Sequence, residues 1–529
     1  MHMRRLWAIA GGIALVFGGG APAATPKDTV VMAKQIDDII SLDPAEAFEF
    51  SGSEVVANLY DRLLGHDVKD VRRLEGELAE SWSVAEDGKT YTFKLRPNVK
   101  FQSGNPVTAE DAAWSLQRAV ILNKSPGYII GQFGFTKENV AKRIHAVDRL
   151  TLVIETEKAV APTFLYYCLT AVVGSVVDSK LVKSRAKGDD LGNEWLKTNS
   201  AGSGAFKLRG WRPNESYTLE AHAGWYRGAP KSKRVIVRHV AEPATQWLLL
   251  EKGDADYARN LTKDQLASVT RNKDLAIDRG NKGTILYIGL NQKNPTLAKP
   301  EVREALKLLV DYEAIHQNIV GDRYMLHQAF LPIGFLGAID EKPYKFNPAK
   351  ARELLAKAGL AGGFSLTMDT MNTSPFIDIA QAVQASWAQA GVKVTLIPGD
   401  GKQVLTKYRA RNHDAMLYRW GPDYQDPHSN AETFAMNEDN GENARVRTLA
   451  WRNSWNIPEL TRRTAAAVLE RDAGKREAIY QQLQREHQRV SPFIILFQET
   501  EVAARRKNAD GMIIGPNFGT NFYYAIRKS

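Results

Sequence analysis

Between Tyr91 and Arg96 apolar and polar residues alternate with period two, the pattern of a strand with one face buried. Leu152 to Glu155, Val235 to Val240 and Ile285 to Leu290 are short runs rich in Val, Ile and Leu and are further predicted strands. Elsewhere the period lengthens to that of a helix. Ala351, Leu354, Leu355 and Ala358 fall on one face of a helix opened by Asn347-Pro348 and closed by Gly359. Val302, Ala305, Leu306 and Leu309 make a second stripe after Pro300. Ile379, Ala382, Val383, Ser386, Trp387 and Ala390 make a third, ended by Gly391, and the strand Val392 to Leu396 follows at once. Strands alternating with helices predict an α/β architecture with a mostly parallel sheet. The helical stripes read as core, so binding chemistry belongs in loops at strand ends.

The chain of 529 residues exceeds what one hydrophobic core usually serves, so at least two lobes are expected. Its first residues carry Arg4 and Arg5, an apolar run from Leu6 to Phe17, and Ala21-Pro22-Ala23. That is the order of a secretory signal peptide over residues 1–23, and the run is too short to span a bilayer. No Cys follows it, so no lipid anchor of that kind is expected. Removing Arg4 and Arg5 lowers the formal net charge from +10 to +8. The charge is scattered and forms no dense Lys/Arg run, so nucleic acid is not an expected partner. The single cysteine, Cys168, lies in the apolar stretch Phe164 to Leu169, where a small buried residue is the plain reading; no disulfide is possible.

Catalytic and cofactor motifs are missing. Asp87-Gly88-Lys89-Thr90 lacks the upstream Gly of a phosphate loop, and Gly202-Ser203-Gly204 lies between Ala201 and Ala205 rather than in G-x-S-x-G. The ten His are scattered without a metal-binding pair. Acid pairs such as Asp254 with Asp256 and Asp423 with Asp426 suit acid–base work, but also turns and caps. No catalytic residue, no metal site and no cofactor are expected. An extracytoplasmic hydrolase and a chaperone of unfolded segments are the rival readings.

The segment from Glu77 to Arg118 carries Glu77-Leu78-Ala79, Trp82, an Asp87-Gly88 turn, the Tyr91 to Arg96 strand and Thr108 capping a helix that begins Glu110-Asp111. Ser41-Leu42-Asp43-Pro44 and Asn58 to Leu63 precede it. Gly202 to Phe206, Leu250 to Asp256, Val302 to Leu306 and the Asn347 to Gly359 helix follow. In this order the segments resemble the bacterial extracellular solute-binding proteins of family 5, the peptide, nickel and opine group of ABC-transporter binding proteins. The resemblance implies a two-lobed periplasmic binding protein, a clamshell with an extra subdomain in the first lobe. The expected division is residues 24–58, 203–284 and 500–529 for the first lobe, 59–202 for the extra subdomain and 285–499 for the second lobe. Hinge crossings are expected near Ile285–Asn291 and Phe493–Glu499.

The same resemblance implies a monomer in the periplasm that binds a short peptide or peptide-like solute and meets the membrane permease subunits of an ABC importer. The alternative is a non-peptide solute such as an opine, a sugar conjugate or a metal chelate. Arg419 to Pro427 looks like the W-x-x-D-x-x-D/E-P segment of peptide-binding members, which makes Asp423 the acceptor of a ligand amine, with Trp420 and Tyr424 beside it. A turn with Trp420 in the core is the alternative for these residues. Glu49, Phe50, Ser51 and Gly52 are expected to offer backbone hydrogen bonds to an extended ligand, as an edge strand does. The loop with Tyr128 and Phe133 is expected either to close over the cleft or to lie as an ordinary surface loop. Dipeptide-specific members hold the ligand carboxylate with an Arg near the helix after the second lobe's first strand. Residues Met371 to Asp378 contain no Arg or Lys.

Overall fold

The computed structural model describes residues 25–444 and 446–529. The signal-peptide segment, residues 1–23, lies outside the described residues. One mixed sheet of eleven strands organises the chain: β1 (Thr29–Lys34), β2 (Phe206–Arg212), β3 (Ser216–Ala221), β4 (Arg234–His239), β5 (Tyr257–Ala258), β6 (Leu275–Leu290), β7 (Tyr324–Leu326), β8 (Phe364–Met371), β9 (Val392–Gly399), β10 (Ala415–Trp420) and β11 (Phe493–Arg506). Their order is β9-β8-β10-β6-β11-β5-β1-β4-β3-β2, with β7 paired to β11.

The sheet is not mostly parallel. The long strands β6 and β11 run antiparallel through its centre, and parallel pairing is confined to β8 with β9 and β10 on one side and β1 with β4 and β5 on the other. A chain that crosses from one half to the other and back gives two opposed central strands. The β6–β11 ladder breaks between Asn281 and Ile285. Leu275–Asn281 pairs with Thr500–Arg506 in one half, and Ile285–Gly289 with Phe493–Gln498 in the other. This break adjoins the expected crossing near Ile285–Asn291.

Beyond the break both faces of the sheet are buried. Leu286, Ile288 and Leu290 of β6 enter one apolar cluster and Ile285 and Tyr287 the opposite one, as side chains alternating across a strand must. The helices Pro300–Leu308, Pro348–Lys357 and Phe376–Ala388 cover the first of these faces. In the other half β1, β3 and β4 pack with Phe206, Ala503 and Tyr523. A third core, drawn from Ala45 to Val176, surrounds a separate four-stranded sheet and the helix Ala109–Leu122. That helix begins with a capping box in which Thr108 and Asp111 satisfy each other's backbone N–H groups. Cys168 is buried in this core, and burial pushes its thiol pKa up.

The third core is tied to the β10 side of the sheet. Tyr424 packs on Phe164, with ring centroids 5.8 Å apart. Ala161 N–H donates to the Val468 carbonyl at 2.9 Å. Arg476 donates to both oxygens of Asp426 at 2.7 and 2.6 Å and also to Thr163 Oγ1 at 3.0 Å. Asp426 and Arg476 are both fully buried. Removing one partner strands the other charge in a dry interior. Asp426→Ala is therefore expected to destabilise the protein by about 3–5 kcal/mol. The double change Asp426→Leu/Arg476→Met is expected to cost less, both read as midpoints of urea unfolding.

Candidate functional site

Strand β10 ends at Trp420 and the chain turns through Gly421 and Pro422 to Asp423 before the helix Pro427–Ala435. Asp426 caps that helix, accepting from His428 N–H at 2.9 Å. The turn thus faces the third core at the height of the ladder break. Two cavities flank it. The smaller, of about 90 Å³, is lined by Phe48, Phe50, Thr284, Asp423 and Phe518 among others. The larger, of about 1100 Å³, has Tyr128, Phe133, Trp420, Asp423, Glu432 and Arg452 in its wall. Asp423 lines both.

Tyr128 Oη donates to Asp423 Oδ2 at 2.5 Å, across from the third core. Asp423 also places its backbone N–H on Ser429 Oγ at 3.1 Å. Its carboxylate has no salt-bridge partner among the described residues. Burial pushes its pKa up to about 6, against the lowering effect of the Tyr128 hydroxyl and of the Arg452 charge. Glu432, on the same helix face of the cavity, is pushed up to about 7 by burial, reinforced by Asp423 and Glu438. His428 is buried and held down at about 4, so it is neutral near pH 7. Two under-compensated carboxyls facing one cavity form a receptor for positive charge.

The sequence-derived residues are placed unevenly. Trp420 is half-buried, packs edge-on against Phe434 at 5.8 Å and lines the large cavity. Tyr424 is not a lining residue: at 2 % exposure it belongs to the third core, because consecutive side chains in the turn point to opposite sides. Residues 49–52 do not form an extended edge. Phe50–Leu59 is a helix with Glu49 at its N-cap. The Ser51 N–H is already taken by Asp38 at 3.0 Å, and Gly52 packs against the Ser41 carbonyl. Glu49 has its carboxyl pKa raised by burial and is absent from both cavity walls. Only Phe50 of the four reaches a cavity. Its ring stacks on Phe518 at 4.6 Å and lies under the Arg419 guanidinium at 5.2 Å. The segment at 127–133 is not a free loop. Tyr128–Gly131 is a helical turn anchored by buried Ile129, Ile130 and Phe133, and Tyr128 projects from it. Sequence reasoning missed Glu432, Arg452 and the wall formed by Pro516–Gly519, none of which sits in a local motif.

A sheet whose two central strands cross between halves, with a charged crevice beside the crossing, defines a two-lobed binding protein. A model of the bacterial extracellular solute-binding proteins, family 5 (middle region), matches residues 73–442, and the chain belongs to that family. The "Probable D,D-dipeptide-binding periplasmic protein DdpA" of Escherichia coli K12 is 27% identical over 512 residues, covering 95% of both chains. The glutathione-binding protein GsiB of Salmonella typhimurium is 28% identical over 507 residues, covering 95% of this chain and 94% of the relative. Among solved structures, the dipeptide binding protein from Pseudoalteromonas sp. SM9913 in complex with Met-Leu superposes with a TM-score of 0.79 at 21% identity, covering 95% of this chain and 100% of the other. No helix among the described residues is long and apolar enough to cross a membrane, and no metal-binding group of acids, His and Cys occurs among them.

The raised acids are open to direct test. At pH 6.5 an infrared difference spectrum is expected to show protonated carboxyl bands that Asp423→Asn and Glu432→Gln each diminish. Tyr128→Phe removes the hydrogen bond that favours ionised Asp423, so its band should persist to higher pH. Carboxyl bands that appear only near pH 4 would contradict this account.

Proposed function

We propose that the chain is a non-enzymatic periplasmic binding component of an ABC importer that captures a short peptide or peptide-like solute between its lobes. The observation that carries this reading is Asp423: a carboxylate without a cationic partner, raised by burial and set in the wall of a cavity of about 1100 Å³. An ammonium supplied by a guest would ionise it and form a charge-assisted hydrogen bond. The dipeptide and glutathione names of the relatives support the same class of guest. Trp420, Tyr128 and Phe133 would wall the guest, and Phe50 would close the smaller cavity beside it.

The lobes on this reading are residues 24–58, 203–284 and 500–529 against 285–499, with 59–202 as the extra subdomain. The ladder break at Asn281–Ile285 would be the hinge. Residues 1–23 would direct export to the periplasm, where the loaded monomer would meet the permease subunits.

Calorimetry with an equimolar library of di- to tetrapeptides and with glutathione tests the reading. Binding is expected to release protons between pH 6 and 7, because Asp423 and Glu432 must ionise, and affinity is expected to fall as pH drops through that window. Asp423→Asn is expected to weaken binding by at least about 30-fold. Small-angle scattering is expected to show compaction on saturation. Wild-type-like affinity in the Asn variant would remove Asp423 from the site.

A further inference from the structure

Of the two arginines in the wall of the large cavity, one has no acceptor among the described residues. Arg452 ends the helical turn Leu449–Arg452 and lines the same wall as Asp423 and Glu432. Its guanidinium makes no hydrogen bond or salt bridge with any described residue, and its Nε is buried without a partner. Its one described contact is the face of Tyr408, 5.5 Å from the ring centroid. Arg411 and Arg447 are not in this condition. Arg411 is held by Ser454 and by the side chain and carbonyl of Asn440, and Arg447 donates to the carbonyls of Ala444 and Glu442.

A guanidinium cannot shed its charge in a protein, and a buried donor left unmade is costly. Asp423 and Glu432 share the cavity but do not salt-bridge to Arg452. The cavity therefore holds unpaired charges of both signs, kept apart. A neutral solute would leave all of them unpaired, and a simple cation would leave Arg452 so. A guest with an amine at one end and a carboxylate at the other satisfies both.

A second free guanidinium lies at the crevice, that of Arg419. Its charge is covered by aromatic faces on two sides, Phe50 at 5.2 Å and Phe376 at 5.9 Å, and it lines neither cavity. Residues Met371 to Asp378, at the start of the helix after β8, supply no cation. Of the other cations in the cavity wall, Arg447 already donates to two carbonyls and Lys158 is exposed, which leaves Arg452, with its buried Nε unpartnered, as the candidate.

We propose that Arg452 is the carboxylate-recognising residue of this site, with Asp423 and Glu432 receiving the cationic end, so that the protein selects short zwitterionic peptides with both termini free. This rests on the peptide reading above. The experiment exposes the full chain to an equimolar library of free-acid di- to tetrapeptides mixed with the same peptides as C-terminal amides and as N-acetyl derivatives, and quantifies captured species by mass spectrometry.

Wild type is expected to favour free acids over amides by about 10- to 100-fold. Arg452→Gln should erase that preference while keeping discrimination against N-acetyl peptides, and Arg452→Lys should restore part of it. Asp423→Asn should do the reverse, and Arg419→Gln should leave the acid-over-amide preference intact. Unchanged melting midpoints establish that each variant is folded. Equal capture of acids and amides by wild type, or an acid preference that survives Arg452→Gln or vanishes in Arg419→Gln, overturns the assignment. Capture of no peptide by wild type overturns the peptide reading itself.

Discussion

The geometry of the crevice depends on a buried ionic cluster at the ladder break. Glu54 pairs with Lys34 and with Arg259, Arg259 reaches on to Glu501, and Glu501 accepts from Lys282 at 2.8 Å. All five side chains are at most 9 % exposed. Burial opposes ionisation of Glu54 and Glu501, but Arg259 and the lysines outweigh it and hold both carboxyls well below their ordinary range. Burial, joined by the charge of Arg259, lowers the pKa of Lys282 against the opposing pull of Glu501 and Glu54. Three cations against two carboxylates leave one positive charge to be met by dipoles, and Lys282 donates to the Gly515 carbonyl at 2.7 Å and to Asn521 Oδ1 at 2.8 Å. Such a cluster is a poor source of net stability, since desolvating five charges offsets most of their attraction. What it supplies is position. Lys282 lies in the three residues where β6 leaves its partner, so the crossing is fastened to the half that holds Glu54 and Arg259. The ammonium groups of Lys34 and Lys282 also sit 5.5 and 4.6 Å from the Phe518 ring, which stacks on Phe50 in the wall of the smaller cavity.

Asp423 and Asp426 show how one short segment uses the same chemistry in two ways. Asp426 is fully paired: it caps its own helix and is gripped by both arms of Arg476. Its role is to fix the segment against the third core. Asp423, three residues earlier, is left with a phenol as the only side-chain donor to its carboxylate among the described residues. The cost of desolvating it is not recovered within the protein, and a guest that brings a cation recovers it. The rigidity of the first acid is what allows the second to remain incomplete without the turn rearranging to satisfy it.

The regular elements were legible in the sequence because each is over-determined locally. The helix at Pro348–Lys357 has its Asn347 cap, its Pro and its apolar stripe, and the strand at Thr90–Leu95 has strict alternation and an Asp87-Gly88 turn. The mixed sheet was not legible, since the pairing of β6 with β11 joins residues more than two hundred apart in the chain. Trp420 and Asp423 were singled out through a motif, and both line the large cavity. Tyr424 was assigned with them because a motif gives adjacency and not direction. An extended segment was expected at Ser51 and Gly52 because the onset of a helix at Phe50 carries no side-chain cap to announce it. Glu432 and Arg452 were invisible for a different reason. An unpaired buried charge and a solvated surface charge look alike in sequence; only the absence of partners in three dimensions separates them.

A guest can favour closure only through interactions that differ between the open and closed forms. On the proposed reading the Tyr128–Asp423 hydrogen bond would supply such a difference, because it joins the segment anchored in the third core to the β10 side. While Asp423 is partly protonated, the contact is weakened by that fraction. A guest ammonium beside Asp423 favours its ionised form, the proton passing to solvent, and a phenol bonded to a carboxylate is held roughly twice as strongly as one bonded to a neutral acceptor. On this reading the guest tightens a bond between the two sides that it does not itself make. Charge recognition at Asp423 and closure across the crevice are then one event, and a neutral molecule that merely filled the cavity would gain the space without the tightening.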